Sequence, residues 1–328
     1  MRGADPTFQT RTLWHLSFAG SDMHIDRRSL LKAGLALASI GQLASRSAQA
    51  AAPEIATRLV PATGERLPIV GLGSWITFNV GDDTRLRDES TRVISAFIEG
   101  GGRMIDSSPM YGSSQATIGY ALAKLGHPKA VYATDKVWTS SGTNGPRQIE
   151  QTRRQWGIER FDLLQVHNLV NWQDHLETLR AMKADGRLGA IGITTSHGSR
   201  HERLEQVMRH EAIDFVQLTY NILDRAAERR LLPLAKEKGL GVIVNRPYRR
   251  GALLRRVERH PLPKWVAETG AGSWAQFLLK YAISHPAVTC AIPATTRVDH
   301  VRENLAAGAG MLPDARLRKR MQDYVGQL

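Results

Sequence analysis

Beyond residue 58 the chain repeats one pattern eight times: a short β-rich apolar run, then a longer stretch with apolar residues at helical spacing. The β-rich runs fall at residues 69–74, 103–107, 131–137, 162–167, 190–195, 215–220, 241–246 and 289–293. The helical stretches fall at 90–99, 117–125, 150–156, 176–184, 203–209, 228–238, 274–283 and 298–307. Parallel neighbouring strands need a long crossover, and a helix packed on the sheet supplies it. Eight such units predict a single-domain α/β fold, the (β/α)8 TIM barrel, whose functional groups gather at the carboxyl ends of the strands. Gly100, Gly126, Gly186 and Gly239 follow the last turns of helical stretches, where a left-handed cap favours glycine. Residues 59–67, with a turn at Thr63-Gly64, read as a hairpin over the barrel's other end, and 313–327 as a terminal helix rich in arginine.

A barrel of this kind takes about 250 residues, so most of the 328 residues are one catalytic domain, expected over 51–328, after an extension over 1–50. The net charge is +13, and beyond residue 50 the chain still holds 38 Lys/Arg against 28 Asp/Glu, so the excess belongs mainly to the folded part. No basic motif is interleaved with aromatics, which argues against a nucleic-acid partner. The single cysteine, Cys290, lies in the apolar run VTCAI and reads as core, and no metal site is expected.

Residues 1–50 do not read as fold. Arg27 and Arg28 precede a moderately apolar run from Leu30 to Leu43, and Ala48-Gln49-Ala50 follows as a small-residue cleavage site. This resembles a twin-arginine export signal, with cleavage expected after Ala50. The resemblance implies the twin-arginine export machinery as partner and the periplasm as destination. The run is too short for a permanent membrane anchor. Residues 1–22 carry no part of the pattern, and Met23 is a second candidate start.

The chemistry lies at the strand ends. Asp106 closes one apolar run, Lys136 nearly closes the next and His167 ends the third, with Tyr111 on the loop five residues after Asp106. A lysine at the end of a buried strand calls for a carboxylate, and Asp106 ends the neighbouring strand. A phenol has a pKa of about 10. A nearby ammonium is expected to lower it and make Tyr111 a proton donor to a carbonyl oxygen, with His167 as a second hydrogen-bond donor.

On these residues the sequence resembles the aldo-keto reductase family, from about residue 59 to 307. GERLPIVGLGSW looks like its opening strand, with Ser74 where Thr is common; IDSSPMYG is similar to its Asp-to-Tyr motif; QLTYNILDR and IPATTRVDHVREN resemble its sixth and eighth strand segments. The resemblance implies reversible hydride transfer between NADP, or NAD, and an aldehyde or ketone, with Asp106, Tyr111, Lys136 and His167 as the catalytic tetrad. It implies Gln217 at the nicotinamide carboxamide, Glu303 and Asn304 near the adenine, and Arg297 or Arg302 at a 2′-phosphate. Two places depart from the family pattern. GITTS puts Thr194 and Thr195 where Ser-Asn is common, and VNRPY puts Asn245 and Arg246 where an aromatic usually stacks on the nicotinamide, with Tyr248 two residues off. Trp75, Trp138 and Trp172 are expected to line the pocket mouth.

Two other readings share the sequence. One is a non-catalytic dinucleotide-binding sensor or subunit on the same fold. The other is a phosphate-binding lyase or isomerase with Lys136 as a Schiff-base lysine, which leaves Tyr111 unexplained.

Overall fold

The computed structural model describes residues 54–196 and 198–328. The export signal read in residues 1–50 lies outside the described residues. A short antiparallel hairpin comes first, β1 (Thr57–Leu59) with β2 (Arg66–Pro68). Eight parallel strands follow: β3 (Leu72–Gly73), β4 (Met104–Asp106), β5 (Tyr132–Val137), β6 (Phe161–Val166), β7 (Leu188–Thr194), β8 (Phe215–Thr219), β9 (Gly241–Asn245) and β10 (Cys290–Ala291). They pair in chain order. The barrel closes where Gly71 N donates to Ala291 O at 2.8 Å and Ala291 N to Ile69 O at 3.0 Å. Gly73 is required at this seam, because a Cβ there would stand 2.7 Å from the Ile292 carbonyl oxygen.

The crossovers are α1 (Thr84–Glu99), α2 (Ser114–Lys124), α3 (Gly145–Trp156), α4 (Trp172–Ala184), α5 (His201–His210) and α6 (Leu231–Glu237). Then come α7 (Ala252–Val257), α8 (Trp274–Ile283), α9 (Val298–Ala307) and the closing α10 (Ala315–Gln327). Asp83 starts α1 by accepting from Leu86 N at 3.0 Å, an N-cap of the kind that contributes about 1 kcal/mol. Of the four glycines expected to cap helices in the left-handed region, Gly126, Gly186 and Gly239 do so, with φ of 73°, 71° and 68°. Gly100 does not: its φ is −81°, and the left-handed residue is Gly101 at 86°.

Strand periodicity sorts the side chains. On β5, Ala133 and Val137 pack outward in the main core with the helices, while Tyr132 joins Met104, Leu163, Phe215 and Ile243 inside the barrel. Val60 and Leu67, from the hairpin region, are fully buried in this inner cluster and plug the amino-terminal end. Further along the strands the interior turns polar, with Asp106, Thr134, Lys136, Gln165 and Gln217 all buried. The barrel thus has an apolar floor and a polar upper layer, and only the polar end can host chemistry.

Candidate active site

Asp106 ends β4, and its carboxylate is 1% exposed. Oδ2 lies 2.6 Å from Nζ of the fully buried Lys136, which also donates to the Ser107 carbonyl at 2.6 Å. Oδ1 accepts from Gln165 Nε2 at 3.2 Å and Gln217 Nε2 at 3.1 Å. Burial works against the Lys136 ammonium, but Asp106 and Tyr111 outweigh it and hold its pKa above the ordinary lysine value.

Ser108 accepts from Met110 N at 3.2 Å and caps a tight turn, Pro109–Tyr111, that carries Tyr111 over the lysine. Nζ of Lys136 is 5.2 Å from the Tyr111 ring centroid. Here the expectation of a lowered phenol pKa is corrected. Burial raises the Tyr111 value above 10, and the ammonium's pull offsets only part of that rise. The phenol therefore holds its proton in the cofactor-free protein.

His167 follows β6 in a tight turn, and its ring meets that of Tyr111 edge to face, with centroids 5.8 Å apart. Burial, together with the charges of Lys136 and Arg200, holds its pKa well below the usual 6.5, so the ring is neutral. Its Nδ1 is 2.7 Å from Ser108 Oγ. Ser108 Oγ also accepts from Met110 N, and a hydroxyl that donates to Nδ1 would place the ring proton on Nε2.

Asp106, Tyr111 and His167 open with Thr194, Gln217, Asn245 and Arg246 onto one cavity of about 530 Å³. Thr194 Oγ1 donates to Gln217 Oε1 at 3.3 Å, Asn245 Nδ2 approaches the same oxygen at 3.5 Å, and Thr219 Oγ1 donates to Asn245 Oδ1 at 2.7 Å. The side chain of Arg246, half-buried, makes no hydrogen bond or ion pair with any described residue.

The remaining cofactor candidates lie off this cavity. Thr195 is fully buried, and its carbonyl accepts from Asn245 Nδ2 at 3.1 Å, so Ser196 lines the cavity in its stead. Arg297 precedes α9 and pairs with Asp299, while Arg302 is exposed on α9. Glu303 accepts from Ser273 Oγ at 2.5 Å, and Asn304 from Tyr248 OH at 2.6 Å. Tyr248 does line the cavity, and its hydroxyl ties the loop after β9 to α9.

Trp75 lines the cavity as expected. Trp138 is 39% exposed, 6.5 Å from the His167 ring but outside the lining. Trp172 is corrected: it opens α4 and lines a separate groove with Glu202 and His210 of α5. Sequence reading missed Ser108 and Gln165. Gln165 precedes His167 by two residues, the period that places both inward. Ser108 sits directly before Pro109, a pairing that marks turn starts.

Comparison with known proteins agrees with this geometry. The aldo/keto reductase family profile matches residues 70–319. A methylglyoxal reductase of Escherichia coli is 28% identical over 251 residues, covering 73% of this chain and 85% of that protein. An NADH-specific methylglyoxal reductase of Escherichia coli is 25% identical over 307 residues, covering 75% and 91%. The crystal structure of a Klebsiella pneumoniae aldo/keto reductase with NADP and acetate superposes with a TM-score of 0.69 at 23% identity. It covers 81% of this chain and 94% of that one, a likeness of fold.

Proposed function

The chain belongs to the aldo/keto reductase family, and on that premise we propose that it reduces an aldehyde or ketone carbonyl to an alcohol with a nicotinamide dinucleotide. The observation that carries this reading is the buried Lys136–Asp106 pair beneath a protonated Tyr111, with neutral His167 beside it.

The residues fit the dinucleotide. Thr194, Gln217 and Asn245 form a cluster of amide and hydroxyl groups joined by long hydrogen bonds, readily exchanged for those of a carboxamide. Arg246, without an ion-pair partner, suits a diphosphate. When bound, the dinucleotide supplies the hydride. Tyr111 supplies the proton to the carbonyl oxygen, and the Lys136 charge favours the phenolate left behind. Asp106 keeps Lys136 charged and in place. His167, protonated on Nε2, donates a hydrogen bond that orients the carbonyl. NADP is the proposed partner in preference to NAD, with Arg302 facing the 2′-phosphate; Asp299 already occupies Arg297.

The cavity of about 530 Å³ has to take both the nicotinamide end of the dinucleotide and the carbonyl compound. The test is a panel of aldehydes and ketones added to the protein with NADPH or NADH, following loss of the reduced-nicotinamide absorbance. A panel that consumes neither cofactor would overturn the reading.

The export reading rests on the sequence of residues 1–50: paired arginines, apolar run and small-residue site occur in the order an export signal needs. It places the mature protein in the periplasm, beginning near Ala51 and carrying dinucleotide loaded in the cytoplasm. Amino-terminal sequencing of the periplasmic fraction tests it, and unprocessed protein confined to the cytoplasm would refute it.

A further inference from the structure

A second cavity, of about 450 Å³, shares Ser196, Arg246 and Arg250 with the carbonyl pocket. Arg225, from the loop after β8, and Arg249, from the loop after β9, also line it. Four arginines thus border one space, and among its described lining residues Asp224 alone is acidic. That carboxylate is committed, because its Oδ2 accepts from Arg249 Nε at 3.0 Å and from Asn221 Nδ2 at 2.9 Å. Among the described residues the other three arginines have no carboxylate partner. Arg225 donates to the neutral Gln322, Arg250 lies 4.3 Å from the Trp75 ring centroid, and the Arg246 side chain has no hydrogen-bond partner among the described residues. His201, on the first turn of α5, completes the wall with a buried Nε2 that lacks a hydrogen-bond partner.

Arg225, Arg249 and Arg250 are exposed and Arg246 is half-buried, and like charges gathered around one opening repel. The backbone adds strain: Arg246, Arg249 and Arg250 have φ of 52°, 49° and 57°, a left-handed region that non-glycine residues seldom occupy. Charge and strain both point to an anion, and the planar fork of arginine matches carboxylate and phosphate oxygens. Arg250 makes the link to chemistry. It borders both cavities and rests on Trp75, a wall of the carbonyl pocket, so the two cavities adjoin at this residue.

We propose that the second cavity is a substrate subsite, in which Arg225 and Arg249, rather than the Arg246 given above to the diphosphate, hold the carboxylate or phosphate group of a carbonyl compound whose aldehyde or ketone lies at Tyr111 and His167. The proposal rests on the reductase reading above. The same chemistry has a second source, the phosphates of the dinucleotide itself, and the experiment separates the two.

Protein saturated with NADPH is titrated calorimetrically with inorganic phosphate, as wild type and as Arg225→Gln plus Arg249→Gln. The same proteins are assayed with 4-carboxybenzaldehyde and the neutral, similarly shaped 4-nitrobenzaldehyde. Wild type is expected to favour the carboxylate in kcat/KM by at least about tenfold, the size of one or two charge-assisted hydrogen bonds. In the variant that preference falls to within about twofold through KM, turnover of the nitro compound is unchanged, and phosphate binds at least about tenfold more weakly. Arg225→Gln alone, which breaks no ion pair, serves if the double variant does not fold. Equal use of the two aldehydes by wild type would overturn the proposal. So would phosphate binding that NADPH abolishes, or a variant that loses NADPH affinity, since the cavity would then belong to the cofactor. Failure of both aldehydes sinks the reductase reading and the substrate subsite with it, whereas a missing carboxylate preference with intact turnover sinks the subsite alone.

Discussion

Nζ of Lys136 lies 2.6 Å from Oδ2 of Asp106, and neither side chain is more than 2% exposed. A buried ion pair is weak evidence for stability, because desolvation consumes most of the attraction. Breaking it is another matter. Asp106→Asn leaves an ammonium buried with only the Ser107 carbonyl and an amide for partners, and the expected loss is about 3–5 kcal/mol. Urea unfolding checks this; a loss below about 1 kcal/mol would mean that Lys136 is solvated or neutral in the native state.

Ser108 acts through His167. Ser108→Ala removes the hydroxyl 2.7 Å from Nδ1, and with it the hydrogen bond proposed to hold the ring proton on Nε2. Carbonyl reduction is expected to fall about tenfold in kcat, with Ser108→Thr restoring much of it. The imidazole nitrogen NMR shifts provide the readout that a merely structural role would leave unmoved. An unchanged tautomer in the alanine variant would remove Ser108 from the account.

His167 also imposes a pH dependence on stability. Its folded pKa lies well below the unfolded value of about 6.5, so the unfolded chain takes up the proton first as pH falls. The stability that neutral His167 contributes is present above about pH 6.5 and is lost below it, at up to about 1.4 kcal/mol per pH unit. Asp135, pushed up to about 7 by burial, has the opposite sign, its contribution being lost as pH rises through that value. Comparison of wild type with His167→Gln, unfolded in urea at pH 7.5 and 5.5, isolates the histidine. The variant should lose about 1 kcal/mol less on acidification, and identical losses would place the His167 pKa near its ordinary value.

The Lys136–Asp106 pair was legible because it obeys a rule that a sequence displays. A charge closing an apolar strand needs a partner on the next strand, which is how Lys136 points to Asp106. Loop geometry was not. Nothing in RPYRRG reveals that three arginines in that loop take left-handed backbone, since glycine and asparagine are the residues that usually advertise it. Helix α7, a single short stretch between Ala252 and Val257, carries too few residues to show a period. Trp172 was misplaced because a tryptophan just beyond a strand end can open the next helix as easily as line a mouth.

Arg297, just before α9, is engaged by Asp299, whose carboxyl it holds well below the usual range, whereas Arg302 is exposed on α9 without an ion pair among the described residues. Arg302→Ala is therefore expected to weaken NADPH binding about tenfold and leave NADH unchanged, and Arg297→Ala to do much less. Fluorescence titration gives all the dissociation constants. Equal wild-type affinities for the two cofactors would mean that neither arginine meets a 2′-phosphate.

The central claim is that Tyr111 gives its proton to a carbonyl oxygen. The most direct measurement is turnover of Tyr111→Phe on an aldehyde that the wild type reduces, alongside its dissociation constant for NADPH. Phenylalanine keeps the ring that faces His167 and Lys136 and removes only the hydroxyl. The account predicts a fall in kcat of about 10²–10⁴, with cofactor affinity within about twofold of wild type. Turnover at the wild-type rate would contradict it.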